Sequence, residues 1–256
     1  TTGFTYVPHK FVKTSVTLGD FYSLINNYSS IEQTFSRSNY VRNKTVGIAH
    51  RMEVLNGLFA EVSFAYNDQQ SIDNLALSNW SGQLFDSLNV PVPFERYTKS
   101  ELKITAKYRF AQRYVMKGKQ KIIIGTDYPE IDLVYRKGFP GLFGSEVNYD
   151  YLEISASGEI PMKRFGYSRW SGSVGSYINK TNLRELEHKY FRGSDRWFFS
   201  DPSNTFQLLP QSLHTPNEFL SVNGVHHFEG AILDKVPLIN RLKLQLAGGA
   251  GSLIIP

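Results

Sequence analysis

The chain has 256 residues, 41% of them hydrophobic, but no run of about 18 apolar side chains, which excludes a membrane-spanning α-helix. It contains no cysteine, which excludes disulfides and thiolate metal sites. Its net charge of +5 comes from scattered basic residues, a pattern that argues against nucleic-acid binding. A membrane β-barrel stays compatible with these values, because its strands are apolar on one face only.

The first third of the chain predicts three strands of unusual length. Phe11–Gly19 alternates apolar and polar residues, and Asp20–Arg42 follows as a long polar loop. Lys44–Asn67 forms two alternating runs joined at Asn56-Gly57, which supplies the two positive φ angles of a type I′ turn and so predicts a β-hairpin. Each run has about ten residues, the length of a tilted strand that crosses a bilayer.

After a second long loop at Asp68–Ser100, Glu101–Phe110 shows the cleanest alternation in the chain. Four charges on one face of this strand suit a wet lumen better than a packed core. We therefore expect Lys103, Lys107 and Arg109 to point inward, together with Glu153 from a later strand. The predicted lipid-facing residues are Val46, Ile48, Val62, Phe64, Leu102, Ile104, Ala106, Leu152, Ile154, Leu242 and Leu244.

Five further strands follow, and the connections between strands alternate in length. The strands are Lys121–Arg136 (interrupted at Pro129), Tyr149–Ile160, Tyr167–Ile178, Phe219–Ile232 and Arg241–Gly248. Connections near positions 56, 118, 163 and 236 are short, and those near 30, 85, 142 and 200 are longer. An outer-membrane barrel sorts short periplasmic turns from longer outer loops in this way, whereas a soluble sandwich or a lipocalin-like barrel has no reason to.

The sequence therefore predicts an all-β, antiparallel transmembrane β-barrel with about nine strands and no helix. Thr1 is not an initiating methionine, no signal peptide follows it, and no closing strand or charged tail precedes Pro256. We therefore expect residues 1–256 to be a partial outer-membrane barrel domain, with N-terminal and C-terminal parts of the full protein absent. Predicted periplasmic positions are Gly57, Gly118, Lys163 and Lys235, and predicted outer loops surround Tyr28, Phe85 and Trp197. Aromatic residues near strand ends are expected to form interface girdles: Tyr66, Tyr108, Tyr114, Tyr135, Tyr149, Tyr167 and Trp170.

Three segments carry a family resemblance: Tyr128–Gly138, Lys189–Asp195 and His227–Asn240. Together they resemble the barrel region of a Bacteroidota outer-membrane family of unknown function, whose members usually carry an N-terminal carboxypeptidase-regulatory-like domain. The resemblance covers residues 100–256 well and the first hundred loosely. That family is distantly similar to the sixteen-stranded surface-antigen superfamily, which includes barrel-assembly and translocation factors.

In that superfamily a long loop with an Arg-Gly motif folds into the lumen between the eleventh and twelfth strands. The resemblance implies the same role for Arg192 and Gly193, followed here by Ser194 and Asp195 rather than by an aromatic residue. It also implies a larger, sixteen-stranded barrel. Candidate partners on the inner wall are Asp132, Glu153, Lys103, Lys107 and Arg109. The alternative is a solvated loop arginine beside a tight glycine turn.

The long loop Asn179–Asn217 is expected to fold back and cap or plug the lumen. It contains many aromatic residues, which disordered segments lack, and leaving them exposed would be costly. Three arginines suit pairing with acids on the inner wall: Arg184, Arg192 and Arg196. We expect Arg192 at or near the tip of the loop.

Other polar clusters point only weakly to chemistry. His226, His227 and Glu229 lack a third metal ligand on one strand face, and Gly172–Gly175 lacks the spacing of a nucleophile elbow. Asp195, Asp201, His188 and His214 could form a rim hydrolase, but loop polarity is the default explanation. We expect no enzyme activity, no metal and no cofactor.

The expected function is a non-enzymatic role of a bacterial outer-membrane barrel in assembly, translocation or transport through a polar lumen. The alternatives are an accessory scaffold barrel in a larger envelope complex and, third, a barrel-rim hydrolase. Expected partners are outer-membrane lipid, lipopolysaccharide and other envelope proteins, with no nucleic acid.

Overall fold

A computed structural model of the chain describes residues 2–9, 11–26, 37–73, 90–118, 120–193, 200–210, 212–231, 233–235, 242 and 244–256. The regular secondary structure of these residues is β-strand, apart from five short 3-10 turns, and it includes no α-helix. None of the helical segments in the described ranges is long and apolar enough to cross a membrane.

Ten strands form one antiparallel sheet in the order β1-β2-β3-β4-β5-β8-β9-β10-β13-β14. They are β1 (Thr2–His9), β2 (Val12–Leu24), β3 (Tyr40–Leu55), β4 (Leu58–Gln70), β5 (Tyr97–Arg109), β8 (Glu130–Gly138), β9 (Asn148–Pro161), β10 (Tyr167–Asn182), β13 (Phe219–Glu229) and β14 (Leu246–Ile254). Two separate pairs are β6 (Arg113–Lys117) with β7 (Gln120–Gly125), and β11 (Lys189–Tyr190) with β12 (His214–Thr215). The 3-10 turns cover Arg37–Asn39, Leu142–Gly144, Lys163–Phe165, Glu185–Glu187 and Leu233–Lys235.

The hairpin predicted at Asn56-Gly57 is confirmed as β3 and β4, but the predicted type I′ turn is wrong, because Gly57 has a positive φ and Asn56 does not. Gly57 has a φ of +88°, and a Cβ at this position would lie 2.3 Å from the carbonyl oxygen of Arg109. Only glycine fits this turn without a shift of the backbone, for both reasons.

The sheet has one apolar and one polar face. Directly paired residues share a face, and the pairs Val16–Ile48, Ile48–Phe64 and Phe64–Leu102 carry the apolar face across four strands. The predicted lipid-facing residues from Val46 to Ile154 all lie on this face, and Val46, Ile48, Val62 and Ile154 are 43% to 52% exposed. Lys103, Lys107, Arg109, Asp132 and Glu153 lie on the opposite, polar face.

Several predicted elements are wrong in their limits. The predicted strand Lys121–Arg136 is two strands, because β7 leaves the sheet to pair with β6 and only β8 joins the main sheet. The first strand of the sheet, β1, was not predicted. The last strand begins at Leu246 rather than Arg241, so Leu242 and Leu244 precede it instead of forming its lipid face.

The two ends of the sheet carry different sets of connections. At one end of the sheet, here called the turn end, the strands are joined by the connections 10–11, 56–57, 110–129, 162–166 and 230–245. At the opposite end, here called the loop end, they are joined by 25–39, 71–96, 139–147 and 183–218. The expected strict sorting by length is wrong, because 110–129 contains the β6–β7 hairpin and exceeds 139–147. The predicted outer loops around Tyr28, Phe85 and Trp197 lie outside the described residues.

Candidate functional site

Residues 183–218, here called the inserted loop, pack partly against the polar face. Phe191 and Phe206 are 4% and 8% exposed, and the ring of Phe191 meets that of Phe219 on β13 edge to face, with centroids 5.0 Å apart. The Asn26 side-chain amide also donates to the Phe191 carbonyl at 3.3 Å. The aromatic residues of the loop therefore bury their area against the sheet rather than in water.

The inserted loop is attached near the loop end through Glu187, the last residue of a 3-10 turn. Its side chain is 2% exposed and lies 2.6 Å from the Nζ atom of Lys99 on β5. The hydroxyls of Tyr97 and Tyr149 donate to the same carboxylate at 3.0 and 3.4 Å. Three donors around one buried carboxylate offset the cost of removing its charge from water.

The backbone of Glu187 is also hydrogen-bonded to the polar face. Its carbonyl oxygen accepts hydrogen bonds from the Tyr177 hydroxyl at 2.7 Å and from the Arg136 guanidinium at 3.1 Å. Lys99 also lies 3.7 Å from Glu101. Lys99, Glu101, Arg136 and Glu187 thus form a neutral group of two acids and two bases, which we call the charge cluster.

A second attachment of the inserted loop to the sheet lies at Glu153 on β9. The Nζ atom of Lys189 on β11 is 2.7 Å from both carboxylate oxygens of Glu153 on β9. The Tyr151 hydroxyl donates to Glu153 at 2.5 Å. Strand β11 pairs with β12, so this ion pair holds both arms of the inserted loop near the wall.

The inserted loop then continues toward the turn end. The Phe206 amide donates to the Arg192 carbonyl at 2.9 Å, which ties the two arms together. The Ser171 hydroxyl on β10 donates to the Ser203 carbonyl at 2.9 Å. Because Ser171 lies only four positions after the start of β10 at Tyr167, the loop crosses most of the height of the sheet.

The predicted motif lies within the inserted loop, but the predicted ion pairs differ. Within the described residues, Arg192 pairs with neither Glu153, which binds Lys189, nor Asp132, which lies 3.4 Å from Lys107. Gly193 forms a bridge with Phe206, and Asp195 lies outside the described residues.

Two of the remaining predicted wall residues, Lys107 and Arg109, form ion pairs along the sheet. Glu130 binds Lys107 at 3.2 Å and Arg109 at 2.9 Å. Arg184 pairs with Glu146 in the connection 139–147 at 3.0 Å, and Arg196 lies outside the described residues.

The candidate catalytic and metal-binding clusters do not assemble as such. His226 bonds Ser168 at 2.8 Å, whereas the ring of His227 stacks on Tyr167 on the other face of the sheet. The described ranges contain no cluster of three acidic or histidine ligands that could hold a metal. Asp201 accepts a hydrogen bond from the Ser203 amide at 2.9 Å, which lowers the pKa of the Asp201 carboxyl.

His188 and His214 do meet in the inserted loop, with ring centroids 5.1 Å apart. Burial lowers the pKa of His188, and the neighbouring His214 lowers it further. His214 is 3.5 Å from Glu185. Of the hydrolase quartet, Asp195 lies outside the described residues.

The charge cluster itself was not predicted. Lys99 falls in a predicted loop, and Glu187 belongs to the segment Leu183-Arg-Glu-Leu-Glu-His, which looks like an ordinary solvated turn. The available signal was the set of tyrosines in β5, β9 and β10, because buried hydroxyls require polar partners: Tyr97, Tyr149, Tyr151 and Tyr177. The prediction that Tyr149 belongs to an interface girdle is wrong, because Tyr149 is fully buried on the polar face.

Comparison with known proteins identifies a family and a fold. Residues 2–256 match the model of a family of unknown function (DUF5686), C-terminal domain. No curated protein matches the sequence.

Among solved structures, the chain is similar to the crystal structure of BamA from Haemophilus ducreyi lacking POTRA domains 1-3, with a TM-score of 0.51 and 10% sequence identity. The similarity covers 99% of this chain and 48% of the BamA chain, so this chain spans about half the length of that structure. The all-β antiparallel sheet therefore has a BamA-like barrel fold.

Proposed function

The chain belongs to the DUF5686 C-terminal domain family, and we propose that it is the membrane-embedded part of a bacterial outer-membrane β-barrel whose lumen holds the inserted loop. We propose a non-enzymatic role for this barrel in outer-membrane assembly, translocation or transport. Its apolar face would contact outer-membrane lipid and lipopolysaccharide. The expected N-terminal domain and an origin in Bacteroidota are part of the same proposal.

The extent of the apolar face supports a membrane location. Exposed apolar residues continue from β2 to β13, and they include Val16, Ile48, Val62, Ile154, Val174 and Val222. Such a continuous apolar surface is rare on proteins surrounded by water. At the turn end, Phe110 lies against Tyr108 and Tyr128, with ring centroids 6.0 and 5.1 Å apart, as in an interface girdle.

The observation that carries the functional proposal is the buried attachment of Glu187 to the polar face. A loop held by Lys99 and two tyrosines occupies the space through which a wide barrel would otherwise conduct freely. A loop that fills the lumen is expected in a protein that moves cargo in a controlled way. It is not expected in an open pore. The BamA-like fold supports the resemblance to barrel-assembly and translocation factors.

Depletion of the full-length protein in its native host tests this role. We expect quantitative proteomics of the outer-membrane fraction to show loss of other barrel proteins, or of surface-exposed cargo, before growth stops. Re-expression of the wild-type protein should restore them. An outer-membrane protein composition that stays unchanged throughout depletion would contradict the proposal.

The β6–β7 hairpin favours a second candidate function, that of an accessory barrel in an envelope complex. Lys121 on β7 lies 2.5 Å from Glu53, which fixes the hairpin to the turn end. Its side chains Val115, Ile122 and Ile124 are 41% to 62% exposed. Copurification from detergent tests this candidate: Ile124→Glu should release a stable partner, and an unchanged partner set would count against it.

A further inference from the structure

Two cavities lie between the inserted loop and the polar face. The upper cavity, of about 240 Å³, extends from Glu153 and Lys189 to Ser157. The lower cavity, of about 340 Å³, continues to Glu159 and Arg169 near the turn end. Ser157, Ser171 and Asn204 line both cavities, so the two are adjacent.

The walls of the upper cavity are rich in small neutral polar groups. Serine hydroxyls line it on three neighbouring strands, at Ser155 on β9, Ser173 on β10 and Ser221 on β13. Asn223 also lines it, is 6% exposed, and has a buried Oδ1 atom without a hydrogen-bond partner in the described part of the chain. This Oδ1 atom lies beside Gly251 on β14, where a Cβ would stand only 2.4 Å away.

The charges along the two cavities cancel. The acids are Glu130, Glu153 and Glu159, and the bases are Arg169, Lys189 and Arg192. Glu153 pairs with Lys189, and Glu159 pairs with Arg169 at 3.1 Å. Without a net charge, the walls give neither cations nor anions an advantage over neutral molecules.

We propose that the two cavities form one hydrated passage for small uncharged polar solutes, of the polyol and monosaccharide class, beside the inserted loop. The inference rests on the proposed barrel. It means that the inserted loop restricts which solutes cross the lumen and does not close the lumen completely. The volume of the upper cavity equals that of about eight water molecules, enough for one such solute. The Ser171–Ser203 hydrogen bond lies beside the residues that line both cavities.

Osmotic swelling of vesicles containing the full-length protein tests the passage. The vesicles are made of phosphatidylethanolamine and phosphatidylglycerol, and insertion is checked first by flotation and protease protection. Glycerol and ribose should enter, and a trisaccharide should not. Ser173→Trp should lower the glycerol rate roughly tenfold by filling the upper cavity. Val174→Trp is the matched control, because the neighbouring residue lies on the apolar face and is 51% exposed.

The outcomes separate this inference from the proposed function. Failure to insert would overturn the barrel itself, and the passage with it. Insertion with equal swelling of wild type, Ser173→Trp and Val174→Trp would overturn the passage alone. If Ser173→Trp fails to fold, Ser157→Cys provides the test in a chain without native cysteine. The Ser157→Cys thiol should react with a small neutral thiol reagent, and vesicles that contain the modified protein should swell more slowly. No reaction, or no slowing after the reaction, would overturn the inference.

Discussion

Glu187 is the single side chain on which the position of the inserted loop depends most. Its carboxylate is the partner of Lys99, whose side chain is only 12% exposed, and Glu101 is farther from that ammonium at 3.7 Å. Removing one member of a buried ion pair leaves the other charged and poorly solvated. Loss of the Glu187 charge would therefore leave Lys99 without its nearest partner in the charge cluster.

Glu187→Gln should detach this part of the loop, at a cost of about 3–5 kcal/mol in docking free energy. The measurement is limited proteolysis by trypsin of the protein in vesicles, with cleavage after Lys189 and Arg192 as the readout. Glu185→Gln is the control, because the Glu185 side chain in the same turn is 63% exposed. Equal cleavage rates for the two variants would contradict the role of Glu187.

His188 should make the docking of the loop depend on pH. Because burial and His214 lower its pKa, the docked loop favours neutral His188, although Glu185 and Glu187 oppose this shift. The undocked loop binds the proton more readily, so docking is fully stable above about pH 6.5 and weakens as the pH falls below it.

A spin label on Ser212→Cys, next to His214, reports this change. Its mobility should increase when the pH falls from about 7.5 to about 5.5, the range around the ordinary histidine pKa. His188→Gln should remove most of this dependence. A pH profile that is identical in the two proteins would exclude His188 as its source.

At the scale of elements, the two faces of β5 give opposite predictions for adjacent residues. Ile104 pairs with Val62 on the apolar face, and Thr105 pairs with Glu61 on the polar face. Ile104→Arg should cost about 2–4 kcal/mol near the middle of a membrane, whereas Thr105→Arg should be mild. Urea unfolding from vesicles measures both, and equal destabilisation would show that β5 does not separate lipid from lumen.

The alternation of residues was sufficient to predict the long strands and their faces, because period two survives in single sequences such as Glu101–Phe110. It failed at β14, where Gly248, Gly249 and Gly251 remove side chains from the pattern. It also failed at β7, because the apolar residues Ile122 and Ile124 do not show that this segment pairs with β6 rather than joining the main sheet with β8. Periodicity records local burial, and it does not say which strand is the partner.

The attachment of the inserted loop was not predictable in its particulars for a related reason. The aromatic content of the inserted loop indicates that it packs against another part of the protein. The charge of Arg192 indicates an acidic partner but does not identify which acid it is. In the structure, Glu153 forms its ion pair with Lys189 instead. Pairings between residues that are distant in sequence depend on the relative height of strands, which a single sequence does not encode locally.

For the whole molecule, the two ends of the sheet should lie on opposite sides of the membrane. Lys163→Cys and Lys117→Cys at the turn end should be protected from an impermeant thiol reagent on intact cells, and Phe143→Cys at the loop end should be labelled. Phe143 is 69% exposed, and Gly57 is a poor site because a side chain there meets the backbone of Arg109. Labelling at Lys163 but not at Phe143 would invert the topology.

The central claim is that the inserted loop lies inside the barrel against β10, and a cross-link tests it most directly. In a chain without native cysteine, Ser171→Cys and Ser203→Cys replace two residues that are joined by a 2.9 Å hydrogen bond from the Ser171 hydroxyl to the Ser203 backbone carbonyl. Oxidation in native membranes should join them in most molecules and shift the mobility of the unfolded chain on gels. Val174→Cys with Ser203→Cys, on the other face of β10, should stay unjoined. Equal, low yields from both pairs would contradict the account.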